Sequence, residues 1–565
     1  MTAIPKTQHA VQLVGPDELK LNTSKPVDFP TAHHILVQVE AVGLCFSDLK
    51  LLHQFSEHPR KQNVQSGIDP EILEGLSSYV PGDKPTVPGH EACVRVVAVG
   101  SKVTEHKVGD RYLVQADWRQ MVTPASNGAF GYCFEGALQE YVILDERIVI
   151  EEETGNHFLI PAAEDFSASA IALVEPWGCV ECSYVTQERQ AIKHGGKLLI
   201  VAEAGRAVTS IDDCYAAEGR PAEITAIYGS KEQTETFTFQ ETGGVFHEPE
   251  PINAVASLPD ETFDDIVYFG AKAETIEALN NKLDRGGIIN IVLGGDKIGR
   301  LVSVGVGRVH YGLTRWIGTT GDNAADSYKV IPNNGEIRKN NSVAVIGAGG
   351  PMGQMHVIRN LCSGVDGVKI VGTDFDDERL ESLRSKAEPI SKSKNLDLKL
   401  VNPKTTPLTE AFDYYALMAP LGVLVADAIQ TAAPGAMINI FAGIPAPIKH
   451  DLDLDTYISK GLFMFGTSGS TINDMLIVRD KVESGQLDTD CSVDAVCGMA
   501  GAVTGIEAVQ NRTCAGKIVV YPQLHDMELI PLGKIGDKYP NVAAKLSHGM
   551  WTHAAEKQLL IDAAK

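Results

Sequence analysis

The sequence predicts an α/β protein: a β-rich region over about the first 190 residues, then two tandem copies of a doubly wound parallel-sheet domain. Short alternating apolar runs separated by Gly and Pro fill the first 150 residues, the pattern of half-buried strands. From about residue 196 apolar strands alternate with helical segments, which is the texture of parallel α/β units. That second texture occurs twice.

In the first region "HILVQVEAVGL", "ACVRVVAVGSKV", "GDRYLVQ" and "GALQEYVILDERIVI" read as strands. The duplication rests on four pairs of segments in the same order. "GGKLLIVAEAG" from Gly195 matches "NNSVAVIGAGG" from Asn340, and "FDDIVYFGA" at 263–271 matches "FDYYALMAP" at 412–420. "GGIINIVLGG" at 286–295 matches "GAMINIFAG" at 435–443, and "WIGTTGDNAADSY" from Trp316 matches "MFGTSGSTINDM" from Met464. The offset stays between 144 and 149 residues throughout. The expected organisation is a β-rich domain with a linker helix over 1–190, a first copy over 191–333 and a second over 334–493. Residues 494–565 then return to the first domain and end in a helical tail.

The 49 basic and 73 acidic residues leave a net charge of −24, against nucleic acid or an anionic membrane surface as partner, since both need concentrated basic surface. No segment of signal-peptide type opens the chain, and nothing approaches the ~18 uninterrupted apolar residues of a membrane span. The ten cysteines follow no disulfide framework. A cytoplasmic protein is the expectation.

In the second copy "VAVIGAGGPMGQMHVIRNL" sets a strand, a glycine-rich turn and a helix in succession. Such a turn lets backbone approach a pyrophosphate, with free N–H groups at the helix start. Gly347, Gly349, Gly350, Pro351, Met352 and Gly353 are the candidate contacts, in a turn one residue longer than G-x-G-x-x-G. The next strand ends at Asp374, whose carboxylate can accept from both ribose hydroxyls and would repel a 2′-phosphate; Phe375, Asp376 and Asp377 bring no basic compensation. This favours NAD over NADP. The first copy has "VAEAGRAVTS" at the same place, with Glu203 and Arg206 where backbone would have to approach a phosphate. Its second strand is expected to end at Gly229, Ser230 and Lys231, without an acid. It keeps the frame and lacks the binding chemistry.

Cys45 in "GLCFSDLK" and His90 and Glu91 in "VPGHEACVRVV" are ligand types that a divalent metal collects. Together with "GALQEYV", "LVEPWGCVECS", the glycine turn and "GKIVVYP", they come in the order seen in zinc-dependent medium-chain dehydrogenases. The resemblance covers about residues 30–190 and 340–522, and "EPWGCVECS" is similar to the sorbitol, threonine and sorbose-1-phosphate dehydrogenase/reductase branch. It implies a GroES-like catalytic domain and Rossmann-like domains for the two copies.

The resemblance further implies one catalytic zinc on Cys45 and His90, with Glu175 as third ligand and Glu91 as an alternate or outer one. Ser47 would relay the alcohol proton, Asp48 would orient the ligands, and Lys50 stands where a proton-relay histidine is usual. Gly443, Ile444, Thr467 and Ser468 would add cofactor contacts. Between Gly109 and Tyr141 only Cys133 occurs, so the four-cysteine lobe of a second, structural zinc is missing. The segment "HPRKQNVQSGIDPEILEGLSSYVPGDKP" lengthens the Cys45–His90 interval and is expected to form a lid. The function implied is hydride transfer between NAD and a secondary alcohol of a polyol, sugar or sugar phosphate, in a homo-oligomer (dimer or tetramer). Two alternatives remain open at this point: a 3-hydroxy amino acid dehydrogenase of the threonine type, and a catalytically silent scaffold.

Overall fold

The computed structural model describes residues 4–229, 245–247 and 251–563. Ser230 and Lys231, at the expected end of the first copy's second strand, lie outside the described residues. The chain divides into two compact units, Met1–Glu181 with Ser470–Lys565, and Cys182–Gly469. Among the described residues no helix is long and apolar enough to cross a membrane.

The N-terminal part runs through the hairpin β1 (Thr7–Gly15) and β2 (Glu18–Pro26), then β3 (His34–Gly43), α1 (Phe46–Gln54), β4 (Glu91–Val99), β5 (Arg111–Val114), β6 (Tyr141–Asp145) and β7 (Leu159–Pro161). Two helices follow, α2 (Ala168–Ala172) and α3 (Val174–Val185). β3 is the hub, pairing antiparallel with both β4 and β6. Its side chains are buried on both faces almost throughout, as a central strand demands.

The lengthened segment after His53 is packed rather than free-standing. His58 caps a short 3₁₀ turn, Pro59–Lys61, by accepting from Arg60 N at 3.2 Å. Lys61 is fully buried, its ammonium donating to the carbonyls of Val80 and, at 2.8 Å, Lys84. A buried ammonium survives only with such partners. The segment expected to form a lid is thus packed against the rest of this unit.

The second unit holds the two copies. The first has strands β8 (Lys197–Ala202), β9 (Glu223–Tyr228), β10 (Val245–His247), β11 (Phe263–Phe269), β12 (Leu283–Val292) and β13 (Arg315–Thr319). The second has β14 (Ser342–Ile346), helix α4 (Pro351–Cys362), β15 (Lys369–Thr373), β16 (Asp397–Val401), β17 (Tyr414–Leu417), β18 (Met437–Ile440) and β19 (Phe463–Phe465). Both sheets are parallel and share the spatial order third, second, first, fourth, fifth, sixth strand. This is the doubly wound arrangement, with a crevice where strand order reverses.

The copies differ in one crossover. Between β14 and β15 runs α4; between β8 and β9 the only helical piece is a 3₁₀ turn, Asp212–Cys214. The first copy thus lacks the helix whose N-terminus would face a phosphate.

The chain returns to the first unit at Ser470, earlier than the expected 494. The helix α5 (Ile472–Glu483) looks in sequence like one more crossover helix. However, Gly178 leaves room for Met475, and Lys481 pairs with the buried Glu181 at 2.6 Å. β20 (Val493–Cys497), β21 (Lys517–Val520) and β22 (Ile530–Pro531) complete an eight-stranded sheet ordered β7-β5-β4-β3-β21-β20-β22, with β6 also on β3. The tail helix α6 (His553–Ala563) is held by Glu556, which accepts from Ala168 N at 2.6 Å and Ser169 N at 2.9 Å and so caps α2.

Both copies contribute to one apolar core, in which Val304, Val309 and Trp316 join Leu452, Tyr457 and Ile458. Truncating Ile458 in a shared core costs about 2–5 kcal/mol. Ile458→Ala is expected to lower the chemical-denaturation midpoint of both copies together, read by site-specific probes in each.

Candidate active site and metal centre

Three residues where β3 gives way to α1, Cys45, Ser47 and Asp48, build the first half of the site. Cys45 precedes the helix, and Asp48, three residues on, accepts from its backbone N–H at 3.1 Å. The other oxygen of Asp48 lies 3.0 Å from His90 Nδ1. One buried carboxylate therefore fixes both the thiol-bearing residue and the imidazole. Ser47 Oγ lies 3.0 Å from Cys45 Sγ and 3.2 Å from His90 Nε2, so it sits between the two ligand atoms.

His90 and Glu91 enter β4 from a turn in which Gly89 has φ +97°, with Val42 and Leu138 crowding the place of a Cβ. His90 is buried, which lowers its pKa, yet the Asp48 carboxylate outweighs that and holds it well above the usual value.

Glu91 is fully buried, and Oε1 takes an ion pair from Lys517 Nζ at 2.5 Å. Burial opposes the ammonium, but the charges of Glu91 and Cys45 raise Lys517 far above the ordinary lysine range. Oε2 of Glu91 is buried without a hydrogen-bond partner. An orphaned acceptor costs about 1–3 kcal/mol, so this oxygen fits a cation. Gly43 leaves its space: a Cβ there would stand 2.1 Å from that oxygen.

Among the described residues Cys45, His90 and Glu91 present ligand atoms all within 4.8 Å of one another. Glu175, at the start of α3, lies outside that trio. Burial pushes its carboxyl up to about 7 against the charge of His90, with Glu91 adding to the rise. Glu91, expected as the alternate or outer ligand, is thus the glutamate that stands with Cys45 and His90, paired to Lys517, which the sequence did not disclose.

The packed segment adds a polar wall. Arg60 makes a two-pronged pair with Asp117 at 2.9 and 3.2 Å and lies over the Tyr132 ring at 5.5 Å; that ring is 5.8 Å from His90. Burial opposes the guanidinium, but Asp117, Tyr132 and Glu175 together raise its pKa. Lys50 is exposed on α1, and its charge acts on His58.

A second trio, His9, Glu140 and His525, also meets the 4.8 Å limit. There the two imidazoles are stacked, 3.8 Å between centroids, and both turn a nitrogen toward Glu140. Glu140 accepts from His9 N at 2.7 Å and pairs with His525 at 2.9 Å. These contacts tie β1 and the C-terminal segment to the strand edge.

The other unit carries the candidate cofactor site. Gly347, at φ +86°, donates to Thr373 O at 2.9 Å, and Gly350 and Pro351 open α4. A Cβ on Gly353 would stand 2.3 Å from Gly347 O, so the helix seats directly on the turn; at Gly350 nothing lies within 4 Å, which leaves the backbone open to a ligand. Met352 is half-buried beside it. Asp374 accepts from Gly349 N at 3.0 Å and Asp376 N at 3.1 Å, which aims the carboxylate at the turn. Basic groups do reach this corner, which the local sequence did not disclose. Arg379 packs where a Cβ on Gly349 would fall, and Lys404 lies 4.8 Å over the Phe375 ring. At the ends of β18 and β19, Gly443 borders Tyr311, Ile444 is buried, Ser468 is half-buried, and Thr467 has a buried hydroxyl without a hydrogen-bond partner.

In the first copy the same place is filled. Glu203 Oε1 accepts from Tyr268 OH and Thr275 Oγ1, both at 2.9 Å, and Lys272 pairs with Oε2 at 3.1 Å. Arg206 spans to Asp296 and to Gly294 O.

Residues 31–154 match the alcohol dehydrogenase GroES-like domain family. The chain is 24% identical over 399 residues to a mannitol-1-phosphate 5-dehydrogenase of Aliivibrio fischeri, covering 65% of this chain and 87% of that one. It is 33% identical over 97 residues to a sorbitol dehydrogenase of Sus scrofa, which is 17% of this chain and 78% of that sequence. The chain belongs to the medium-chain dehydrogenase/reductase family. Among solved structures, 2R,3R-butanediol dehydrogenase from Bacillus subtilis shares the fold, with a TM-score of 0.51 at 14% identity over 91% of this chain and 100% of that one.

Burial, with the charges of Arg60 and Lys50, pulls His58 down to about 4. Because an unfolded histidine titrates near 6.5, the unfolded chain binds more protons between those values. The cap's contribution is full above about pH 6.5 and is lost as pH falls toward 4, by about 2–3 kcal/mol. Denaturation midpoints measured across that range should fall less steeply in His58→Asn, which can cap but cannot titrate.

Proposed function

We propose that this chain is a zinc- and NAD-dependent dehydrogenase that oxidises a secondary alcohol of a polyol, sugar or sugar phosphate, or reduces the matching ketone. The observation that carries the reading is the convergence of Cys45, His90 and Glu91 around an orphaned carboxylate oxygen, organised by one aspartate. Thiol, imidazole and carboxylate form a donor set suited to zinc, with Glu175 close enough to act electrostatically on the same group. Zinc would supply Lewis acidity toward an alcohol oxygen, lowering that hydroxyl's pKa.

The chain's own residues do the rest. Asp48 accepts from His90 Nδ1–H, which leaves the Nε2 lone pair facing Cys45. Ser47 stands where an alcohol hydroxyl would arrive and can accept its proton while passing its own on toward solvent. Lys517 balances one of the two buried glutamates, keeping the pocket from accumulating negative charge. Arg60, Asp117 and Tyr132 line the approach with donors and acceptors that suit a polyhydroxylated molecule. In the other unit, the open turn at Gly350, the Asp374 carboxylate and the Thr467 hydroxyl would hold a dinucleotide, and NAD would serve as the hydride acceptor. The preference for NAD rests on Asp374; Arg379 and Lys404 lessen the penalty against a 2′-phosphate without removing it. The mannitol-1-phosphate and sorbitol dehydrogenases among the relatives act on polyols, which supports the substrate class.

A panel of polyols, sugars, their phosphates and 3-hydroxy amino acids, followed by NADH absorbance, is expected to show turnover at a secondary carbon of a polyhydroxylated substrate. Turnover of simple primary alcohols alone would contradict this. Ser47→Ala should lower kcat about 10²-fold or more with zinc retained, the loss typical of a missing proton-transfer group. Calorimetric titration should find one NAD per chain, and Asp374→Ala should weaken it and narrow the gap to NADP.

A further inference from the structure

The way the two copies meet carries an inference that is independent of the chemistry at the metal site. Positions in the second copy correspond to those in the first at an offset of 148 or 149 residues near the contact, and the contact repeats under exchange of the copies. Gly318, on β13, has its α-carbon against the Ile458 side chain, where a Cβ would stand 2.8 Å away. Its counterpart Gly466 lies against His310, where a Cβ would stand 2.9 Å from Cα, and His310 is the counterpart of Ile458. The same two glycines face the carbonyls of Ile291 and Ile440, again counterparts, each at 2.8 Å.

The arm that leaves the fifth strand of each sheet repeats the pattern. Val302–Val304 pairs antiparallel with His450–Leu452, and Ser303 stands opposite Asp451, its own counterpart. The Tyr457 hydroxyl donates to Trp316 O at 2.8 Å and accepts from Met464 N at 2.9 Å, bridging two further counterparts. An interface in which residue i meets j while the counterpart of j meets the counterpart of i is the isologous contact of a two-fold dimer. Here it forms inside one chain, around a shared apolar core.

We infer that the first copy is a built-in partner subunit. It occupies the face through which a single cofactor-binding copy would pair with a second copy of itself, so that each chain carries its own internal dimer contact. This explains what the first copy retains and what it has lost. The strand order, both glycines and the arm are kept, since the contact needs them. The crossover helix is gone and Glu203 and Arg206 fill the ligand groove, since the contact does not.

The test is cross-linking of the full chain at the axis. Ser303→Cys with Asp451→Cys places two thiols on directly opposed residues of an antiparallel pair, within disulfide reach. The expected product of mild oxidation is a disulfide within one chain, identified by peptide mass mapping and absent when either substitution is made alone. Non-reducing denaturing electrophoresis of the oxidised sample should give the mass of one chain, whatever the protein concentration during oxidation. Chains joined to each other through positions 303 and 451 would overturn the proposal, because the face would then lie between subunits. Failure of the two thiols to link under conditions that oxidise neighbouring control pairs would overturn it equally. As a second reading, Ile458→Lys should lower the unfolding midpoint by the same amount at all protein concentrations; a shift that grows on dilution would indicate a contact between chains.

Discussion

The buried carboxylate of Asp48 is the constraint on which the site depends. It is 1% exposed, and a charge so placed persists only when its partners repay the lost hydration. Those partners are the backbone N–H of Cys45 and the imidazole of His90. The two ligand residues are 45 positions apart in the chain and come from opposite ends of the packed segment after α1. The pairing of β3 with β4, Gly43 opposite Glu91, brings them near each other, and Asp48 fixes how they face. The orientation of His90 follows from that bond, while Glu91 arrives with the strand register and is held by Lys517.

Much of this was legible in the residues. Strand patterning located β3, β4 and β6, and the four repeated segments located both parallel sheets. The glycine turn with Pro351 and the strand ending at Asp374 marked the strand–turn–helix unit of the second copy without reference to structure. What stayed hidden was long-range. Lys517 lies 426 residues from Glu91, and no local pattern announces that a strand lysine will turn inward to a buried glutamate. The pairing of Arg60 with Asp117 depends on a segment whose composition reads as exposed loop. The return at Ser470 was missed because α5 has the same apolar periodicity as a crossover helix; only its seat against Gly178 and Glu181 assigns it to the first unit.

The two copies show how one fold separates into scaffold and function. Six parallel strands in the same order require only apolar runs and turns, and both copies have them. The proposed cofactor site requires more: backbone left bare at Gly350, a helix seated on Gly353, and a carboxylate at Asp374. In the first copy a glutamate hydrogen-bonded by Tyr268 and Thr275 takes that space. Loss of the ligand groove and retention of the packing face are therefore separate events, governed by different residues.

The account turns on Cys45, His90 and a glutamate sharing one zinc ion. Crystals of the zinc-loaded protein, measured on both sides of the zinc absorption edge, test this directly. The account predicts one strong anomalous peak per chain, at bonding distance from Cys45 Sγ, His90 Nε2 and an oxygen of Glu91 or Glu175. A peak only between His9, Glu140 and His525, or none beside Cys45, would contradict it.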